Sequence, residues 1–322
     1  RSLRTRHSES LLDWEEFDLS EMLARYGEPF ADPSIIPTFA VSRLASRDVK
    51  VVLSGDGGDE VFGGYTWLTA ALDAFVLPAR DLRVRAKRAV RSLLSWLPGS
   101  DPIADPLHVF NRAVSCFDSS TRRRLWRPEL RAKAERPSVI EQSRKNLAGL
   151  DLCSQIQWLD LAWDLPGDIL AKVDIASMTY GLEVRVPLLD HRLVELALHL
   201  PFNLKYRRDG DRTVSRIAER RVAERHLTGG ALSAPKRGFG IPLRRGWSRE
   251  RQGEMADRIA RGRSPLSDYF DPSRLHPLTE ENRPAGDDLK VWVLDVLDTW
   301  LTADRTPAAP TYRPPAVEVG RV

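Results

Sequence analysis

The chain has 322 residues, 42% hydrophobic and 29% charged, the balance of a soluble globular protein with one large or two modest cored domains. Two cysteines, Cys116 and Cys153, exclude a disulfide framework and point to a reducing cytoplasm, and no apolar run reaches the roughly 20 residues of a membrane helix. A net charge of +4 keeps polyanion binding open, but the six histidines fall in no metal-ligand spacing.

In chain order, residues 11–30 mix acidic and apolar positions and end in a turn at Gly27-Glu28-Pro29-Phe30. Pro33 and Pro37 precede a helix expected over 38–46, with proline in its first turn, and Asp48 breaks it. Val49 to Leu53 is short and rich in β-branched residues, which predicts a buried strand. A glycine-rich acidic loop, Ser54 to Glu60, follows directly. Helix, strand and glycine-rich loop are the grammar of a doubly wound α/β sheet, whose ligands gather beyond the carboxyl ends of the strands.

The pattern turns helical from about 66 to 165, with Trp67, Leu68, Leu72 and Phe75 at helical spacing and breaks at Pro98-Gly99, Pro102 and Pro106. Pro166-Gly167 leads into a helix over Asp168–Met178. Beyond Pro187, Asp190 is a natural N-cap for a helix placing Leu193, Leu196, Ala197 and Leu200 on one face. Residues 205–240 are highly charged, Lys236 to Gly240 is loop-like, and Leu289 to Leu301 forms a closing helix. The Pro- and Ala-rich tail at 305–322 reads as disordered.

Two arginine-rich stretches could hold a phosphate backbone: Arg83, Arg85, Lys87, Arg88 and Arg91, and then Arg122-Arg123-Arg124. No nucleic-acid motif or interleaved aromatic set accompanies them, so a solvated helix face is the plainer account.

Three clusters carry chemistry. In the loop, glycines let backbone N–H groups approach a ligand, while Asp56, Asp59 and Glu60 would repel a bare triphosphate. The two features agree if Mg²⁺ intervenes, since it binds through one or two carboxylates plus substrate phosphates. The plain alternative is a tight turn capping the next helix through Asp59 and Glu60, and spacing alone does not separate the two. Asp168 and Lys172 stand four apart, the spacing of a surface ion pair, with Asp174 two residues on. Arg185, in an extended apolar stretch, calls for an anionic partner. Lys236, flanked by Gly238 and Gly240, can reach a phosphate or an oxyanion.

Taken together these segments resemble the synthetase domain of the glutamine-hydrolysing asparagine synthetases. Ser54-Gly55-Asp56-Gly57-Gly58-Asp59-Glu60-Val61-Phe62-Gly63-Gly64-Tyr65 is similar to the family's S-G-x-G-x-D-E-x-F-x-G-Y signature. Asp174 to Asp190, with Leu182 to Asp190, resembles its second signature, and Lys236 to Pro242 its lysine loop. Glu28 to Pro33 and the closing Trp292–Trp300 helix fit as well, so the ordered match spans roughly residues 10–303.

The resemblance implies an α/β fold of the ATP-pyrophosphatase type, a partial doubly wound parallel sheet with a large helical portion over residues 1–304. It implies ATP and Mg²⁺ as cofactors, adenylation of a carboxylate (aspartate first among candidates) with pyrophosphate release, and attack by ammonia. It assigns Ser54, Gly55 and Gly57 to the nucleotide, Asp59 to Mg²⁺, and Lys236 to the pyrophosphate and oxyanion. The resemblance makes Asp56 catalytic as well: it stands where asparagine-making members commonly carry Glu, one methylene longer, a position that steers acyl-adenylate formation or deprotonates the amine, and its shorter side chain leaves open an amidotransferase or cyclase acting on another substrate. Asp168, Lys172, Asp174 and Arg185 are expected to line the same pocket.

The family's phosphate loop, S-G-G-x-D-S, is not in this sequence, nor is a glutaminase domain with its N-terminal cysteine. The chain also opens at Arg1 with no initiator methionine, signal core or cleavage pattern. It therefore reads as the C-terminal part of a larger enzyme, expected alone to bind ATP poorly, with a homodimer left open. The competing class is a basic nucleic-acid-binding or scaffolding protein.

Overall fold

The computed structural model describes residues 5–13, 16–72, 107, 110–111, 114–210, 212–227, 238–243, 249–279 and 287–304. In chain order the principal elements are α1 (Leu19–Tyr26), α2 (Ile35–Ala45), β1 (Val51–Leu53), α3 (Gly58–Phe62), α4 (Thr66–Ala71) and α5 (Ser119–Leu125). Then come α6 (Val139–Leu147), α7 (Leu152–Leu159), α8 (Ala171–Met178), β2 (Glu183–Arg185), α9 (His191–Leu198), β3 (Tyr206–Asp209) and β4 (Arg212–Ser215). The last four are α10 (Ile217–His226), α11 (Arg249–Ala260), α12 (Pro272–Thr279) and α13 (Asp288–Asp304). The class is mixed α/β, mostly helical. Among the described residues the strands form a parallel pair, β1–β2, and an antiparallel hairpin, β3–β4. No helix among them is long and apolar enough to cross a membrane.

The chain divides into two compact units. The first comprises residues 1–12, 34–122 and 132–240, the second 13–33, 123–131 and 241–322. In the first, α2 begins three residues before the expected 38, so that Ile35, Ile36 and Phe39 are buried on one side. Its main core gathers Leu68, Phe110, Leu147, Cys153, Ile156 and Leu159. Helix α6 starts on a capping box in which Ser138 and Glu141 satisfy each other's backbone N–H.

Three expectations need correction. Strand β1 is shorter than Val49–Leu53 and is not buried: Leu53 is 73% exposed, because β2 is its one partner among the described residues and no layer covers its outer positions. Pro166 does not break the chain. The segment Asp160–Leu170 between α7 and α8 takes π-helical geometry around the proline, in which the wider turn absorbs the ladder bond that proline cannot make. On α9, Leu193, Val194, Ala197 and Leu200 pack with Val61 and Phe62, but Leu196 points away and is 62% exposed.

In the second unit, α1 is capped by the Asp18 carboxylate and ended by Gly27 in the left-handed region. Helix α13 buries Val291, Trp292, Leu294 and Val296, and the Trp292 indole N–H donates to the Ala31 carbonyl at 2.7 Å. Its two interior carboxylates are neutralised from α11. Arg251 Nε meets Asp295 at 2.9 Å, and Arg258 together with the Ser264 hydroxyl holds Asp298. The tail at 305–322 lies outside the described residues.

Candidate functional site

The site is built at the carboxyl end of β1. The parallel register sets Leu53 beside Arg185, and the Ser54 N–H extends the ladder by donating to the Arg185 carbonyl at 2.9 Å. The chain then leaves the sheet in a turn closed by its own side chains. Ser54 Oγ donates to Asp56 Oδ2 at 2.6 Å, and the Asp56 N–H returns to Ser54 Oγ at 3.4 Å. Gly57 adopts φ +83°, and a Cβ there would lie 2.2 Å from Leu189 Cδ2, so this corner admits glycine alone. At Gly55 an added Cβ would meet no atom within 4 Å, which leaves that backbone open to a ligand.

Helix α3 begins at once, with Asp59 and Glu60 in its first turn, and ends at Gly63 with φ +67°. The two carboxylates have different surroundings. Asp59 is half-buried and its Oδ1 receives Arg216 Nη1 at 3.0 Å. Arg216 itself is gripped by both oxygens of Glu219, three residues on. Glu60 is 2% exposed, accepts the Tyr65 hydroxyl, and has no hydrogen-bond partner at Oε2. Burial, opposed in part by that hydroxyl, raises its pKa, and burial beside Glu60 raises that of Tyr65.

Behind α3 lies a polar layer. The Gln157 side-chain N–H₂ donates to the carbonyls of Glu60 and Val61, and Lys205 Nζ donates to Gln157 Oε1 at 2.8 Å. Burial lowers the Lys205 pKa. One helical turn from Gln157, Asp160 is 1% exposed and neither carboxylate oxygen has a hydrogen-bond partner. Burial, reinforced by the negative charges of Asp164, Glu60 and Asp59, pushes its carboxyl up to about 8.

Of the residues expected from sequence, Ser54, Gly55, Asp56, Gly57 and Asp59 come together on this loop. Arg185 reaches its base through the backbone, while its exposed guanidinium pairs with Glu183 at 2.8 Å. Asp168 lies half-buried in the π-helical segment and Asp174 is exposed on α8. Lys172 is buried, so it does not stand on the solvated face that its four-residue spacing with Asp168 suggested. Lys236 and the basic stretch from Arg83 to Arg91 lie outside the described residues. Arg122, Arg123 and Arg124 are exposed on α5, as a solvated face requires. Sequence reading passed over Arg216 and Asp160. A lone arginine in a run of charges and an aspartate in an amphipathic helix carry no local signal of burial.

Among the described residues no group of three or more His, Cys, Asp or Glu is placed to hold a metal ion by itself. A divalent ion that shares its shell with phosphates needs fewer protein oxygens, and the half-buried Asp59 on an open glycine loop fits that donor set.

A parallel strand pair that launches a glycine-rich acidic loop into a short helix defines a mixed α/β protein with a candidate ligand site at its strand ends. The family model for asparagine synthase matches residues 1–302, and the chain belongs to that family. It is 31% identical over 314 residues to the "Putative asparagine synthetase (glutamine-hydrolyzing)" of Mycobacterium tuberculosis (strain ATCC 25618 / H37Rv), covering 93% of this chain and 46% of the relative. To asparagine synthetase (glutamine-hydrolyzing) 1 of Bacillus subtilis (strain 168) it is 25% identical over 299 residues, covering 88% and 45%. The chain thus spans about half the length of these relatives.

Proposed function

We propose that this chain takes part in ATP-dependent amide formation within an ATP-pyrophosphatase type of fold. A carboxylate oxygen attacks the α-phosphorus of ATP and pyrophosphate leaves. Ammonia, supplied by glutamine hydrolysis elsewhere in the protein, then attacks the acyl carbon and AMP leaves. The observation that carries this reading is the loop at the end of β1, with backbone open at Gly55 and a half-buried carboxylate at Asp59, in a chain of the asparagine synthase family.

Ser54, Gly55 and Gly57 would bound the nucleotide, and Asp59 would bind Mg²⁺, which neutralises the phosphates. Lys236 would hold charge developing on the pyrophosphate and the acyl oxygen. Asp168, Lys172, Asp174 and Arg185 would complete the wall. Asp56 is assigned to the acceptor side. Its carboxylate is tied to Ser54 Oγ, and its short side chain favours an acceptor that reaches closer than aspartate does to a glutamate. Family membership puts aspartate at the head of the acceptors, and Asp56 is the reason to test beside it other carboxylates that undergo amidation or ring closure.

The test uses the full-length protein with MgATP, ammonia and a panel of carboxylates headed by aspartate, following pyrophosphate release. Lys236→Ala should slow release by about 100-fold, the scale on which a fixed group facing developing negative charge acts. Release at the wild-type rate would remove the role given to Lys236, and no carboxylate-dependent release from the wild type would remove the reading itself.

A further inference from the structure

We infer that Arg216 is a positioning residue of the nucleotide loop, a strap that fixes the Asp59 carboxylate from outside the loop; this rests on the reading proposed above. Arg216 has φ +60°, and it is the one non-glycine residue with positive φ among the described residues. Glycine would occupy that conformation without strain, so an arginine there is held by what its side chain does. It stands at the N-cap of α10 but makes no side-chain cap bond. Its guanidinium turns instead to Glu219 with Nε and Nη2, leaving Nη1 to reach Asp59 at 3.0 Å, 157 residues away in sequence.

The loop is cut to receive it. A Cβ on Gly58 would lie 2.9 Å from Leu188 Cδ1 and 3.1 Å from Arg216 Nη2, and one on Gly64 would lie 1.9 Å from Asp59 Oδ1 and 2.7 Å from Arg216 Cδ. Gly64 thus makes room for both members of the Asp59–Arg216 pair, and Gly58 for Leu188 and the guanidinium. The segment between them is the five-residue α3, bounded by Gly57 and Gly63, both in the left-handed region. A helix of little more than one turn between two glycines has little rigidity of its own. Arg216 supplies it from β4–α10, and Glu219 keeps the guanidinium in one orientation while it does so. Both partners are largely withdrawn from water, with side-chain exposures of 28% for Arg216 and 25% for Asp59, so the pair is less screened than a surface contact.

The experiment compares full-length wild type, Arg216→Gly, Arg216→Lys, Asp59→Asn and the Asp59→Asn/Arg216→Gly double variant, measuring MgATP affinity by calorimetry and the thermal midpoint. Arg216→Gly should weaken MgATP about tenfold through loss of a charge-assisted contact, while its midpoint balances relief of backbone strain against loss of the pairs with Asp59 and Glu219. A merely structural arginine would lower the midpoint and leave the affinity. Arg216→Lys should also weaken binding, since an ammonium cannot hold Glu219 bidentately and reach Asp59 at once. The double variant should bind no worse than Asp59→Asn. Wild-type affinity in Arg216→Gly, or a double loss equal to the product of the single losses, would overturn the strap. Should Arg216→Gly fail to fold, wild-type affinity in Arg216→Lys does so instead. A wild type that binds no MgATP removes the nucleotide reading as well, which separates the two failures.

Discussion

Asp160 is the residue whose chemistry departs furthest from its sequence appearance. It sits in an amphipathic helical run, yet its carboxyl is enclosed without a partner and its pKa moves from the ordinary 3.8 to about 8. The unfolded chain releases that proton near pH 4 whereas the folded chain keeps it to about pH 8, so the unfolded state binds fewer protons in between. Stability should therefore fall as pH rises from about 4 to about 8, by an amount on the order of a few kcal/mol. Asp160→Asn removes the titration and should flatten that slope. Urea midpoints at pH 5, 6.5 and 8 for both proteins would check it, and parallel profiles would show that Asp160 contributes nothing to the slope.

Helix α3 shows how much of an element can be decided by glycine. Gly63 ends it at φ +67°, and a Cβ there would lie 1.7 Å from the Tyr206 hydroxyl oxygen. Gly149, just past α6, has φ +82° with nothing within 4 Å of an added Cβ. Gly149→Ala should cost about 1 kcal/mol, the conformational penalty alone, and Gly63→Ala clearly more, roughly 3 kcal/mol, because the ring of Tyr206 must also move. Denaturant titrations of the two variants make the comparison, and equal losses would mean that the close approach to Tyr206 carries no weight. The π-helical segment is the complementary case. Pro166 and Gly167 look like a stop in sequence, but packed helices on either side, α7 and α8, carry the chain through with a wider turn.

The chain carries a net charge of +4, and among the described residues several arginines are held in ion pairs. Arg251 and Arg258 are committed to buried aspartates, Arg216 to Asp59 and Glu219, and Arg185 to Glu183. Exposed arginines remain at Arg122, Arg123 and Arg124 on α5 and at Arg220, Arg221 and Arg225 on α10, the latter interspersed with Glu219 and Glu224. With no nucleic-acid motif or interleaved aromatic set beside the basic stretches, duplex DNA should bind weakly at low salt, if at all. A fluorescence-anisotropy titration between about 20 and about 200 mM salt would reveal tight binding with a steep salt slope if the basic-scaffold alternative held.

The family and the position of the loop from Ser54 to Glu60 at the end of a strand were legible in sequence, because glycine corners, a β-branched strand and a helix N-cap are local signals. The closing helix was legible for the same reason: its apolar residues repeat at helical spacing whatever they pack against. What only the tertiary structure decided was the state of the charges. Asp295 and Asp298 read as the polar face of α13 but are buried against arginines of α11, and Lys172 reads as a surface partner of Asp168 but is enclosed. Arg216 meets Asp59 across 157 residues. A charge's worth depends on the distance and dielectric between it and its neighbours, and those are set by long-range packing rather than by adjacent residues.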